Sequence, residues 1–205
     1  MAIEHVEFLV EEASMEAALR TLLPPILDEI SFEVHPFQGK SGLLQELPGR
    51  LRGYAAWLPA SWRIVVVIDR DDDACEALKR RLDDVSRDAG LTVRWPGGAR
   101  WQIVNRLAIE ELEAWFFGDW AAVRAAYPRV PATIPSKQPY RAPDAIRGGT
   151  WEAFERVLQQ AGYFAGGLRK IEVAREVARH MAPSRNRSPS FGKLREILVE
   201  LTGAP

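Results

Sequence analysis

The chain has 205 residues, 47% of them hydrophobic, with 27 basic and 28 acidic side chains and a formal net charge of −1. So even a balance is ordinary for a soluble globular chain and identifies no nucleic-acid or membrane partner by bulk charge. The single cysteine, Cys75, excludes an intrachain disulfide, and no apolar run approaches the roughly 20 residues of a membrane span.

The N-terminus "MAIEHVEFLVEE" has neither a basic region nor a long apolar core, so it is not read as a signal peptide, and a reducing cytoplasm is expected. "HVEFLV" (5–10) alternates and is rich in β-formers, which predicts a strand. "SMEAALRTLL" (14–23) predicts a helix with Ser14 as N-cap, stopped or kinked by Pro24 and Pro25. "SFEVHPF" (31–37) predicts a second strand, and 39–58 a loop and broken helix. "WRIVVVI" (62–68) is continuously apolar, as a strand buried on both faces of a parallel sheet would be. After it Ala74, Leu78, Leu82 and Val85 recur at helical spacing, and Asp73 with Glu76 resembles a capping box. Cys75 is read as a packing residue of that helix. "LTVRW" and "RWQIVNRLAI" predict further strands around a "PGG" turn, and "EELEAWFFGDWAAVRAAYP" predicts one helix ending at Pro128. This alternation predicts an α/β domain over 1–127, a mostly parallel sheet with helices on both faces. A proline-rich loop is expected at 128–149, and a helical accessory subdomain packed on the sheet at 150–205.

Acidic residues gather where strands are predicted to end. Glu11 and Glu12 follow the first strand. Asp69, Asp71 and Asp73 follow the apolar one. Glu110, Glu111 and Glu113 follow the run ending at Ile109. Ligands of open α/β sheets bind in the crevice beyond the C-terminal strand ends. Carboxylates converging there suit a hard cation such as Mg²⁺, and two clusters could hold two ions about 3.5–4 Å apart. Taken singly, each cluster could equally be solvated charge favouring a helix N-terminus. Asp69, directly after a buried strand, is the hardest to explain that way.

"FLVEEASME", "VVVIDRDDD" and "AIEELEAWFFGD" together resemble the Toprim pattern, a Glu after the first strand and an Asp-x-Asp after a later one. With "NRSPSF" (186–191), the chain is most similar to an uncharacterised bacterial Toprim-like family related to the overcoming-lysogenization-defect nucleases. The resemblance places the Toprim glutamate on Glu11, or in an alternative register on Glu12, which stands where a glycine is usual. It places the Asp-x-Asp on Asp69 and Asp71, with Asp73 as a third member, and a second-metal pair on Glu111 and Glu113. It implies Mg²⁺- or Mn²⁺-dependent phosphodiester chemistry on nucleic acid, in bacterial or phage defence, with a partner ATPase. A homo-oligomer is compatible with it. So are two other readings: a non-catalytic regulatory or interaction subunit, and a phosphatase on small phosphoesters.

"GKS" (39–41) is not a Walker A loop, because Val34 stands where its first glycine is required. Lys40 can still neutralise a phosphate, or be an exposed loop lysine. The basic stretch 169–195 offers Arg185, Arg187 and Ser190 in "SRNRSPS" as substrate contacts, the alternative being a solvated turn. Glu172 and Glu176 are expected to take up part of that charge within a helix. Trp115 is expected in the core.

Overall fold

The computed structural model describes residues 2–96, 98 and 100–203. Among them the apolar run becomes β3 (Trp62–Asp69), flanked by β1 (His5–Val10) and β4 (Ile103–Ala108), with β2 (Ser31–Pro36) at the edge. The order is β2-β1-β3-β4, and every neighbouring pair is parallel. Side chains alternate between faces with period two. Phe8, Val10, Val65, Val67 and Val104 enter one apolar cluster, and Leu9, Ile64, Val66, Ile68 and Ile103 enter the other.

The first face is covered by α1 (Ala13–Leu22), α2 (Pro24–Leu27) and a layer of later helices: α5 (Glu113–Gly118), α6 (Trp120–Ala126), α7 (Thr150–Gln160), α8 (Lys170–Ala178) and α9 (Pro189–Thr202). The second face carries α3 (Gly39–Ala55) and α4 (Cys75–Asp88). The C-terminal helices therefore share one hydrophobic cluster with the sheet.

This winding fixes where a crevice must open. The chain leaves β1 onto the first face and leaves β3 onto the second. β1 and β3 are neighbours, so their C-terminal ends form the topological switch point of the sheet. Glu11 and Asp69 sit at those two ends.

Several local expectations are corrected. The segment 39–55 is one helix running through Pro48. An interior proline costs about 3 kcal/mol. Leu43, Leu47 and Leu51 share the buried side, and full burial is worth about 1.5–3 kcal/mol for each, which outweighs the proline. "LTVRW" makes only an isolated bridge, Val93 to Ile103, and residues 97 and 99 of the expected turn region lie outside the described residues. Helix α1 starts one residue before Ser14, with Glu12 in the cap position, and the Ser14 hydroxyl donates to the Glu12 carboxylate. Asp73 does not cap α4, where Ala74 holds the cap position without a side-chain bond. Cys75 is exposed, not packed. The helix expected after Ile109 is broken at Asp119 (φ −120°, ψ 69°), whose side chain accepts from the Ala122 N–H and starts α6. The loop 128–149 contains three short 3₁₀ turns. Among the described residues no helix is long and apolar enough to cross a membrane.

Candidate functional site

The strand ends are tied together by backbone before any side chain acts. Arg70 N–H donates to Ala108 O (2.8 Å) and Asp71 N–H to Glu110 O (3.0 Å), which extends the β3–β4 pairing past both strands. Asp71 (φ 48°) and Glu110 (φ 62°) both adopt left-handed backbone there. That conformation disfavours a side chain, and such strain concentrates at functional sites. An Arg70–Glu110 ion pair closes the same turn. Gly39 N–H donates to Glu11 O (3.0 Å), which brings the start of α3 to the end of β1.

Asp69 is the centre of the site. It is 7% exposed, and its Oδ1 is buried with no hydrogen-bond partner among the described residues. Burial, reinforced by Glu11, Glu113, Glu12 and Asp71, pushes its pKa well above the usual carboxylate range. Glu11 lies beside it, with Oε2 accepting the Asp69 N–H at 3.0 Å. Burial raises the Glu11 pKa, and the backbone bond only partly opposes it.

Lys40 supplies the positive charge. It is not in a loop but in the first turn of α3, and its Nζ reaches Asp71 (2.6 Å), Asp73 (2.9 Å) and the Arg70 carbonyl (2.9 Å). Burial lowers its pKa, but the two carboxylates outweigh burial and the net shift is upward. Glu12 stands at the rim, 4.0 Å from Lys170, whose ammonium lies over the Trp151 ring.

The third acidic cluster divides: Glu113 acts electrostatically on Asp69, whereas Glu111 turns away. Glu111 Oε2 accepts the Thr150 hydroxyl (3.0 Å) and the Trp151 N–H (2.8 Å), so it holds the start of α7. Glu113 is 4% exposed, and burial with the neighbouring Glu111 raises its pKa to about 8.

The basic segment is built into the fold. Arg185 grips Asp119 with two bonds (2.6 and 2.9 Å) and also donates to His180 O. Ser190 is buried, with its N–H on Asp144 (2.7 Å) and its hydroxyl receiving the Trp115 indole N–H (3.1 Å). Arg187 donates its backbone N–H to Gly118 O (2.9 Å), and its side chain is exposed. Arg169–Glu172 and Arg179–Glu176 pair within their own turns. "ELEAWFFGD" and "NRSPSF" are thus two halves of one structural joint, in which Asn186 also donates to Trp115 O. Asp119, Asp144 and Gly118 complete it. A Cβ on Gly118 would lie 2.1 Å from Asn186 Oδ1 and 2.8 Å from the Ser188 nitrogen. Gly118→Ala is therefore expected to cost about 2–3 kcal/mol in a denaturant melt, and wild-type stability in the variant would remove the joint's role.

The donors at the strand ends are all hard carboxylate oxygens and the Asp69 Oδ1 is unpartnered among the described residues, a donor set whose chemistry fits Mg²⁺ or Mn²⁺. Among the described residues no three His, Cys, Asp or Glu side chains are already arranged to hold an ion. Glu11 is turned onto the Asp69 N–H, and Asp71 is turned onto Lys40.

Comparison with known proteins gives no match among curated proteins and none among solved structures. A family model does match, over residues 10–198. The chain, from the last residue of β1 into α9, belongs to the family described as "Domain of unknown function (DUF4276)".

Proposed function

We propose that the strand-end carboxylates form a divalent-metal-dependent, Toprim-type site that hydrolyses phosphodiesters of nucleic acid. The observation that carries this reading is Asp69: a buried carboxylate, unpartnered at Oδ1, beside Glu11 at the switch point of a parallel sheet. Burying such a group costs several kcal/mol unless a cation or proton joins it, so a fold that keeps it has a use for it. Asp69 and Asp71 would be the principal ligands. A bound Mg²⁺ or Mn²⁺ supplies Lewis acidity toward a phosphate oxygen and lowers the pKa of a coordinated water. Glu11, made more basic by burial, is suited to hold a proton taken from the attacking water. Lys40 keeps Asp71 and Asp73 in place and would supply positive charge toward a phosphate at that turn. Glu111 is committed to the start of α7, so the reading rests on Glu11, Asp69 and Asp71. The setting this reading implies is bacterial nucleic-acid processing or defence, with a separate ATPase as regulator.

The test is cleavage of single- and double-stranded DNA and RNA with Mg²⁺, with Mn²⁺ and with chelator. Metal-dependent cleavage should fall about 10²-fold or more in Asp71→Ala. Cleavage that is unchanged by chelator or by the variant would reject the site.

One observation favours a second reading, in which the cluster is a non-catalytic keystone. Lys40 already joins α3 to the β3 turn through three bonds. In that case Lys40→Met would lower stability and no metal would bind.

A further inference from the structure

A second polar cluster lies on the other side of β1 from the apolar residues Phe8 and Val10. Glu7 is 6% exposed in mid-strand, an unusual place for a carboxylate. One oxygen is 2.6 Å from His35 Nε2 and the other 3.3 Å from His5 Nε2. The face of β2 beside it is not covered: His35 is half-buried and Glu33 exposed. Helix α3 forms the opposite wall, so Glu7 and His35 lie along a groove of 740 Å³. That volume is in the range of about 300–1,000 Å³ usual for small-ligand sites.

Three features of the α3 wall point to a ligand. Gly49 and Gly53, one turn apart, leave the helix backbone bare, and a Cβ at either would meet nothing within 4 Å. Arg50 and Arg52 line the groove, and neither has a carboxylate within ion-pair distance among the described residues. Trp57 is 54% exposed at the end of the groove, and its ring is held at 5.5 Å from both Tyr54 and Trp62. A fixed, solvent-facing indole is a stacking surface for a heteroaromatic ring. Guanidinium groups without acidic partners suit a phosphate. The half-buried His35 imidazole, held by Glu7, offers a polar edge to a base or ribose. Glu46 also lines the groove, so its charge is mixed and does not favour a bare anion.

We infer that this groove binds a nucleoside phosphate, with the base on Trp57 and the phosphate toward Arg50 and Arg52. The site is separate from the strand-end carboxylates, and it neither needs a metal nor depends on their role.

The test is calorimetric titration of the full chain with AMP, GMP, CMP and UMP in the presence of chelator, with inorganic phosphate and the free nucleosides as further arms. At least one nucleotide should bind with a Kd of about 1 mM or tighter. Trp57→Ala, an exposed change, should weaken it about tenfold or more. Gly53→Leu should fill the groove and block binding without disturbing the helix, and Asp69→Asn should leave the affinity unchanged. The inference is overturned if no nucleotide binds, if inorganic phosphate binds as well as the nucleotide, or if Trp57→Ala and Gly53→Leu bind like the parent. Loss of binding in Asp69→Asn would also overturn it, by moving the ligand to the strand ends.

Discussion

Asp69→Asn is expected to make the protein more stable and inactive. The parent keeps an acidic group in a site where burial and four neighbouring carboxylates all oppose its charge. The amide has nearly the same shape and no charge, so the metal-free variant should gain about 1–3 kcal/mol. The gain should grow with pH. An acid whose folded pKa is raised contributes stability that is fully present below its unfolded value and lost as pH rises, and the amide has no such loss. On the proposed reading the same change removes the principal metal ligand and should lower cleavage at least about 10²-fold. Asp72→Asn, at an exposed position in the same turn, is the control and should alter neither property. A structural aspartate would behave in the opposite way, since its loss would destabilise. Chemical denaturation of the three proteins at pH 6 and pH 8, beside the cleavage assay, separates the cases.

The second large effect comes from Glu113. Its pKa rises from an ordinary 4.5 to about 8, chiefly through burial and then through Glu111. Below 4.5 the folded and unfolded chains both hold this proton. Between 4.5 and about 8 the unfolded chain releases it and the folded chain keeps it, so stability falls as pH rises through that window. Above about 8 the loss is complete, on the order of a few kcal/mol. Glu113→Gln should flatten this part of the profile and raise the melting temperature at pH 8 with little change at pH 5. Equal pH profiles for parent and variant would mean that Glu113 ionises freely.

Part of this site is legible in residue order. β1 and β3 were legible because their apolar runs have few other uses, and parallel pairing followed from helices between them. The positions of Glu11 and Asp69 came with those strands. α3 was obscured by Pro48 and its glycines, although Leu43, Leu47 and Leu51 carried the helical spacing. Missing it made Lys40 look like a loop residue, when the start of a helix delivers it to Asp71 and Asp73. The run Glu110–Glu113 signalled acidity but not direction. The left-handed turn at Glu110, set by pairing with Asp71, sends Glu110 to Arg70 and leaves Glu111 for α7. Asp119 read as a polar position on a long helix. Its role depends on Ala182 and Arg185, more than sixty residues later, and no local pattern encodes that. Arg185 and Ser190 looked like substrate contacts for the same reason: density of charge and hydroxyls is visible in sequence, but their partners are not. Glu7 left one sign, an acid within a strand two residues after His5; its other histidine, His35, stands diagonally across on β2, opposite Leu9.

The claim at the centre is that the strand-end carboxylates exist to meet a divalent cation. It is tested most directly by thermal unfolding of the parent and Asp69→Asn over a titration of Mn²⁺, with and without a short non-cleavable oligonucleotide. Ligand that binds only the folded state raises stability by about 2.7 kcal/mol at a hundred times its dissociation constant. The account predicts that Mn²⁺ raises the parent's melting temperature and leaves the variant's unchanged, so that the two curves, with the variant higher at the start, converge or cross. Parallel curves, or a parent that does not respond even with oligonucleotide present, would contradict it.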